Sequence, residues 1–422
     1  MTGIDVMPEP DDDEAAAEGF RCELREWLEA NFTGDAAGAV RGGGGDDDDD
    51  EAFEAHRRWN AALVDAGYGA IAWPTEFGGH DAGIRRQLVY SEEMARVGAP
   101  GPINAIGIAN IAPAIMVYGT QEQRGRFLKP MLRGDEIWCQ GMSEPEAGSD
   151  LASLRCRAIV DGDQFVISGQ KTWNSNGDRA DWCQLFVRTD PDVPKHKGIS
   201  CLLVDMRTAG VEARPIKTMA GDSGFSELFF TDARVPATAL LGRLDDGWSV
   251  ATNTLSNERA GVASLYLSLR AKLDKLISAA GAPQGGGDPP SDRPVTRDAL
   301  VARYIEVRNL EFVAKRSLGA ALGGRSAGAE GSIVKLAWST TDQAVASTAV
   351  DALGLEALSG PWGSGLLSSR ALSIAGGTTE VNKNILAERV LGLPREPKVP
   401  RWPDPPSRNE QPRQQPIEEE MP

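Results

Sequence analysis

Two short segments of this chain carry side chains that could grip and flank a planar ring. The first is Trp138-Cys139-Gln140-Gly141-Met142-Ser143-Glu144-Pro145-Glu146-Ala147-Gly148-Ser149-Asp150. A turn rich in Pro, Gly and Ser offers backbone amides and hydroxyls, which can hydrogen-bond the polar edge of a heteroaromatic ring. The same composition suits a plain connection from helix to strand, and on composition alone that simpler reading is preferred. The second is Gly169-Gln170-Lys171-Thr172-Trp173-Asn174-Ser175-Asn176-Gly177, directly after a strand pattern. A Trp followed by small polar residues can set an indole beside a ring, with a hydroxyl near the ring's reactive atom. A half-buried packing Trp is the commoner fate of such a residue.

Both segments need elements to hold them. From Ala15 to about Arg133 the pattern is helical, with Phe20, Leu24, Trp27 and Leu28, then Trp59, Leu63 and Ala66, at 3.6-type spacing. The Gly/Asp stretch Gly34–Asp50 between them predicts a flexible loop, and the turn-rich Trp73–Gly79 breaks the helices. From about Trp138 to Leu244 strands take over. Leu154, Cys156, Ala158 and Val160 alternate with polar neighbours, a turn follows at Asp161–Asp163, and then Phe165–Ile167. Further strand candidates are Trp182–Arg188, Ile199–Met206, Val211–Lys217 and Ser226–Phe230. With no helical pattern between them, these predict an antiparallel sheet or barrel. Helices return at Trp248, are interrupted by the Gly/Pro/Asp insert Gly281–Pro294, and end near Leu393. The expected division is an N-terminal helical domain at 1–137 with a flexible acidic loop at 34–51, a central β domain at 138–245, a C-terminal helical bundle at 246–395 and a disordered tail at 396–422. There is no internal repeat.

Bulk properties narrow the function. At 422 residues and 41% hydrophobic, the chain can bury a core spread over two or three domains. A formal net charge of −17 argues against nucleic acid as a general partner, although much of it sits in the runs Asp11–Glu14 and Asp46–Glu51, which read as solvated segments. No stretch approaches the roughly 18 apolar residues of a membrane span. Met1–Glu18 resembles neither a secretory signal nor a transit peptide, so a cytoplasmic protein is expected. Cysteines 22, 139, 156, 183 and 201 read as free thiols, and the separated histidines 56, 80 and 196 suggest no metal site.

The two chemistry-bearing segments belong to a larger pattern. Glu144–Asp150 resembles the signature of the acyl-CoA dehydrogenase family, and so do Trp73–Gly79, Tyr118–Gln123, Gly169–Trp173 and Gly376-Gly377-Thr378-Thr379-Glu380. The ending Ala387–Gly392 also fits, and the motifs fall in the family's order over roughly residues 15 to 395. The resemblance implies an N-terminal helical domain, a central antiparallel β-barrel-like domain and a C-terminal four-helix bundle. It implies FAD as cofactor, with Met142 and Ser143 at the flavin ring and Ser149 nearby on the acyl-CoA side. Trp173 would flank the isoalloxazine, Ser175 would sit near its N5, and Thr378 and Glu380 would approach the diphosphate or adenosine end. The reaction implied is α,β-dehydrogenation of an acyl-CoA thioester to the trans-2-enoyl-CoA, with the electron-transferring flavoprotein as acceptor by analogy.

That reaction needs a carboxylate to take the α proton. Many members of the family place it just before the Gly-Thr of the C-terminal motif, where this chain has Gly376. The family's second solution, a Glu before an Arg in the first helix of the C-terminal domain, matches Glu258-Arg259. Leu255, Val262, Leu265, Leu269, Leu273 and Leu276 form one apolar face, and Glu258 falls in the gap between Leu255 and Val262. A carboxylate facing the interior there would have its pKa raised by desolvation. On the residues alone, a structural Glu paired with a buried Arg is preferred. The resemblance, with Gly376 excluded, makes Glu258 the expected base and gives Arg259 a supporting role at the base or the CoA.

Two departures bear on assembly. Homotetrameric members carry an Arg-x-x-Phe-Gly segment and a later Gln-x-x-Gly-Gly segment that reach a neighbour's FAD. Here the insert Gly281–Pro294 replaces the first, and the second reads Asp351-Ala352-Leu353-Gly354-Leu355. The resemblance therefore implies pairing with a second dehydrogenase chain in an α2β2 assembly, as in actinobacterial relatives acting on steroid side chains held as CoA thioesters; a homo-oligomer is the other possibility. Two other functions stay open at this point: a non-catalytic partner subunit, and an acyl-CoA oxidase or flavin monooxygenase on the same fold.

Overall fold

The computed structural model describes residues 14–33, 50–260, 265–284, 286–322 and 330–395; within these, side chains are not described at 256–260, 318, 320–322 and 330. The expected loop at 34–51 and tail at 396–422 lie outside the described residues, except for Asp50 and Glu51. Those two open a helix, where acidic side chains complement the positive end of the helix dipole.

Helices α1 (Glu14–Asn31), α2 (Asp50–Asp65) and α3 (Ile84–Val97) pack through Leu24, Leu28, Trp59, Leu63 and Met94. A buried charge ties α1 to α3. Glu93, whose side chain is 2% exposed, accepts hydrogen bonds from Arg25 (2.6 and 2.9 Å), Arg96 (2.8 Å) and Arg21 (3.1 Å). The Arg25 hydrogen bonds, helped by Arg96 and Arg21 against the opposing effect of burial, hold its pKa down to about 2. A depressed carboxylate stabilises the fold above its unfolded pKa, and that contribution fades as pH falls through the folded value. Glu93→Gln should therefore lower stability by about 1.5–3 kcal/mol near neutral pH. The gap to wild type should narrow on acidification from about pH 4.5 to 2, as read from denaturant unfolding at each pH. An equal gap throughout would remove the electrostatic explanation.

A π-helical turn (Gly107–Ile111) leads into α4 (Ala112–Tyr118) and then α5 (Gln121–Arg133). Thr120 and Gln123 close a capping box at the start of α5. The Gln123 amide also donates to Thr238 O and Leu240 O, both at 3.0 Å, tying the helix to the sheet. Phe127 of α5 meets Trp138 and Trp182 edge-on at 5.2 and 4.8 Å, while the two indoles stack at 5.7 Å.

The sheet contains β1 (Trp138–Gly141), β2 (Arg157–Asp161), β3 (Gln164–Ser175), β4 (Trp182–Arg188), β5 (Ile199–Asp205), β6 (Val211–Ile216), β7 (Phe225–Pro236) and β8 (Leu240–Leu241). Its order is β6-β7-β3-β2-β4-β5-β8, with β1 beside β4. The antiparallel expectation is corrected here, because the sheet is mixed. β1 runs parallel to β4 in the register Trp138↔Trp182 to Gly141↔Leu185, and β2 touches β4 in parallel at Arg157↔Arg188. Parallel neighbours need a long crossover. In this chain the crossover from β1 to β4 runs from Met142 to Asp181 and contains Met142–Asp150 of the first ring-gripping segment and all of the second.

The chain then enters α6 (Gly247–Ala260), α7 (Leu265–Ala280), α8 (Pro294–Leu322), α9 (Glu330–Leu353), α10 (Pro361–Ser368) and α11 (Thr379–Arg389). Leu269, Leu273, Leu276, Val307, Leu310, Val334 and Val345 fill the bundle core. Among the described residues, no helix is long and apolar enough to cross a membrane.

Candidate active site

The crossover places its two segments side by side, and a buried ion pair fixes them. Lys171 of β3 is fully buried, and its ammonium donates to Glu144 Oε1 at 2.9 Å and to Met142 O at 3.0 Å. The Glu144 carboxylate also accepts from the backbone N–H groups of Arg155 (2.6 Å) and Cys156 (2.8 Å). A charge taken out of water persists only when paired and hydrogen-bonded, and this pair meets both conditions. One residue further along, Thr172 N donates to Ser143 O at 2.9 Å. Met142, Ser143 and Trp173 are thereby brought into one cluster. Sequence reasoning missed Lys171 and Glu144 as its clamp.

Trp173 follows directly and departs from regular strand geometry. Its φ is +61°, a left-handed conformation rare for a bulky residue, at a point where β3 and β7 shift register between Lys171 and Asn174. The bulge turns the indole out of the sheet, leaving it 59% exposed, with an edge contact to Phe225 at 6.0 Å. Strain of this kind persists where the surroundings over-determine it, here through Lys171 before and Asn174 after. Asn174 is buried and donates to Ser226 O at 2.9 Å. Ser175 is half-buried and pairs with Phe225 in the sheet. Among the described residues, the hydroxyls of Ser143 and Ser175 hydrogen-bond to no protein group, so both are available to a ligand.

The other expected positions fall elsewhere. Ser149 is exposed beside Asp150, which Lys195 pairs at 2.6 Å. Thr378 caps α11, its hydroxyl accepting from Val381 N at 3.1 Å, and Glu380 lies exposed in the first turn. Hydrogen bonds at that turn, from its own backbone amide and from Thr378, depress the Glu380 carboxyl pKa. These two residues sit on the C-terminal bundle, and among the described residues no hydrogen bond or ion pair joins them to the Met142–Ser175 cluster. Glu258 and Arg259 lie on the last turn of α6, and their side chains are outside the described residues. One turn upstream, Thr254 is fully buried, and the Gln184 amide donates to its hydroxyl at 3.4 Å while accepting from Gln140 at 3.3 Å. A line of amides thus connects β1 and β4 to the helix that carries Glu258.

Family models for the N-terminal, middle and C-terminal domains of acyl-CoA dehydrogenases match residues 21–135, 139–233 and 245–391. The acyl-CoA dehydrogenase IpdE1 of Mycolicibacterium smegmatis is 39% identical over 400 residues, covering 90% of this chain and 98% of that relative. The chain belongs to the acyl-CoA dehydrogenase family. Among solved structures, the Tcur3481-Tcur3483 steroid ACAD superposes with a TM-score of 0.80 at 29% identity, over 92% of this chain and 100% of that one. The ChsE4-ChsE5 complex from Mycobacterium tuberculosis does so with a TM-score of 0.77 at 30% identity, over 92% of this chain and 100% of that one. Acyl-CoA dehydrogenases use FAD, and the cluster suits such a ring: an outward indole, two uncommitted hydroxyls and a turn tied to β3.

Proposed function

We propose that this acyl-CoA dehydrogenase binds FAD across the Met142–Ser143 turn and the Trp173–Ser175 bulge and oxidises an acyl-CoA thioester between its α and β carbons. The observation that carries the reading is the Lys171–Glu144 clamp, which presses the two segments together while leaving Trp173 exposed. Bound FAD would supply the hydride acceptor. The protein's part is to seat the ring beside the Trp173 indole, to hold the thioester against the ring, and to take the α proton at a carboxylate. The family resemblance gives that role to Glu258, which precedes Arg259 in the first helix of the C-terminal domain, while Gly376 stands where many members carry their base. Ser149 and Arg259 lie on the acyl-CoA side, and electrons leave to an electron-transferring flavoprotein.

The site is completed by a second, related chain. Asp351–Leu353 is the end of α9, and Leu355 and Leu358 just beyond are 84% and 52% exposed. Val301, Ile305 and Phe312 of α8 are exposed at helical spacing, 51%, 53% and 57%. Apolar surface on this scale marks a contact face, and the similar structures named above include a two-component complex and a steroid enzyme. An α2β2 assembly with fewer flavins than subunits, acting on a bulky steroid side-chain thioester, accounts for these features together. Absorbance and native mass, taken on the chain alone and on the chain co-expressed with a dehydrogenase encoded beside it, test the pairing. A product that turns yellow only with its neighbour supports it. A yellow homotetramer from the chain alone sinks it.

A further inference from the structure

We infer that Lys335 of α9, together with Asn382 of α11, holds the Gly376-Gly377-Thr378 turn in the shape that receives the cofactor; the inference rests on the FAD-binding reading above. A lysine inside a long helix ordinarily keeps its ammonium in water. Lys335 is only 5% exposed, and its ammonium donates to Leu372 O at 2.9 Å and Gly377 O at 2.8 Å. Asn382, 3% exposed, adds donations to Gly377 O at 2.8 Å and Thr378 O at 3.0 Å. The Gly377 carbonyl therefore receives two buried donors.

The turn needs such ties. Gly376 and Gly377 have φ of +64° and +86°, and a chain passing through two left-handed glycines has many other conformations open to it. Eight residues along α9 from Lys335, Gln343 donates to Ser369 O at 3.1 Å, so α9 grips the approach to the turn at Ser369, Leu372 and Gly377. Gly376, Gly377 and Glu380 face outward and add nothing to the bundle core. Their rigidity serves what binds outside, because a preorganised turn spares a ligand the cost of ordering it. An ammonium suits the task, since one group offers three charge-assisted donors to converging carbonyls. Lys335 is on this argument a positioning residue, acting through the turn without touching the cofactor.

The test uses Lys335→Met and Lys335→Arg in the full chain, prepared with the partner chain that its flavin site needs. The FAD dissociation constant of deflavinated protein is measured by flavin fluorescence, and amide hydrogen exchange is followed over residues 369–382 without FAD. Lys335→Met is expected to weaken FAD binding about tenfold or more and to speed exchange at the turn. Lys335→Arg should recover part of both effects. FAD binding as tight as wild type in Lys335→Met would overturn the inference, as would faster exchange spread evenly through α9 with none focused on the turn. If Lys335→Met does not fold, Asn382→Ala carries the same comparison: weaker FAD binding with local loosening supports the clamp, and unchanged binding refutes it. Failure of the wild-type assembly to bind FAD would instead overturn the cofactor reading, and the exchange measurement tells the two failures apart because no FAD enters it.

Discussion

Glu258→Gln should lower turnover of an acyl-CoA substrate by about 10²–10⁴-fold, the span that a positioned general base contributes, while leaving flavin content unchanged. A carboxamide keeps the size of the side chain but cannot accept the α proton. The helix that carries it stays in place, because Val250, Ala251 and Thr254 anchor α6 upstream with 1%, 1% and 0% exposure. Steady-state rates and flavin absorbance on the same preparation of the assembled complex check both halves of the expectation. Unchanged turnover would move the chemistry to another chain and leave this one as a scaffold. Accumulation of peroxide during wild-type turnover would point to an oxidase on the same fold.

Lys171→Met should be the most damaging single change for the site's architecture, destabilising the chain by about 3–5 kcal/mol. The methionine fills the volume of the lysine but leaves the Glu144 carboxylate buried without its cation and Met142 O without a donor. Glu144 keeps its two backbone donors, so the loop stays tethered to Arg155 and Cys156 and loses its tie to β3. Flavin affinity should fall with stability, since Met142–Ser143 and Trp173 would no longer be held together. Adding Glu144→Gln to Lys171→Met should recover part of the loss by removing the stranded charge, and denaturant unfolding of the two single variants and the double measures it. Additive losses would mean that the two residues do not act as a pair.

Much of the fold was legible because its elements repeat with regular periods. The strand patterns at Trp182–Arg188 and Ile199–Met206 differ from the observed strands by a residue at most, since both are apolar and pack on the core. Where polar residues interrupt a strand the apolar period breaks off early. The Ser226–Phe230 expectation covers less than half of β7, which continues through Thr231-Asp232 to Pro236. Asp232 has a φ of +48° and accepts from the Ser168 hydroxyl at 2.7 Å, so a turn-like dipeptide is absorbed into a bulge. Val160, expected to continue the buried alternation of β2, is 55% exposed near the hairpin end. The parallel pairing of β1 with β4 was hidden because it joins residues more than forty positions apart, beyond any local period.

The candidate site shows in the sequence as two segments but not as a contact. Met142, Ser143 and Trp173 stand out by motif, yet what joins them is a lysine and a glutamate 27 residues apart. Each alone reads as an ordinary surface charge. Lys335 is silent in the sequence for the same reason: one basic residue in a helix predicts a solvated side chain, and only the folded bundle encloses it. The strain at Trp173 also had no sequence signal, since nothing in Lys-Thr-Trp-Asn-Ser demands a left-handed residue at its centre.

The decisive measurement is anaerobic mixing of the flavin-loaded assembly with an acyl-CoA thioester, ideally one bearing a steroid side chain. The long-wavelength flavin absorbance should bleach in the wild type and fail to bleach at a comparable rate in Glu258→Gln. A flavin that stays oxidised in the wild type across straight-chain, branched and steroid thioesters would contradict the proposed dehydrogenation.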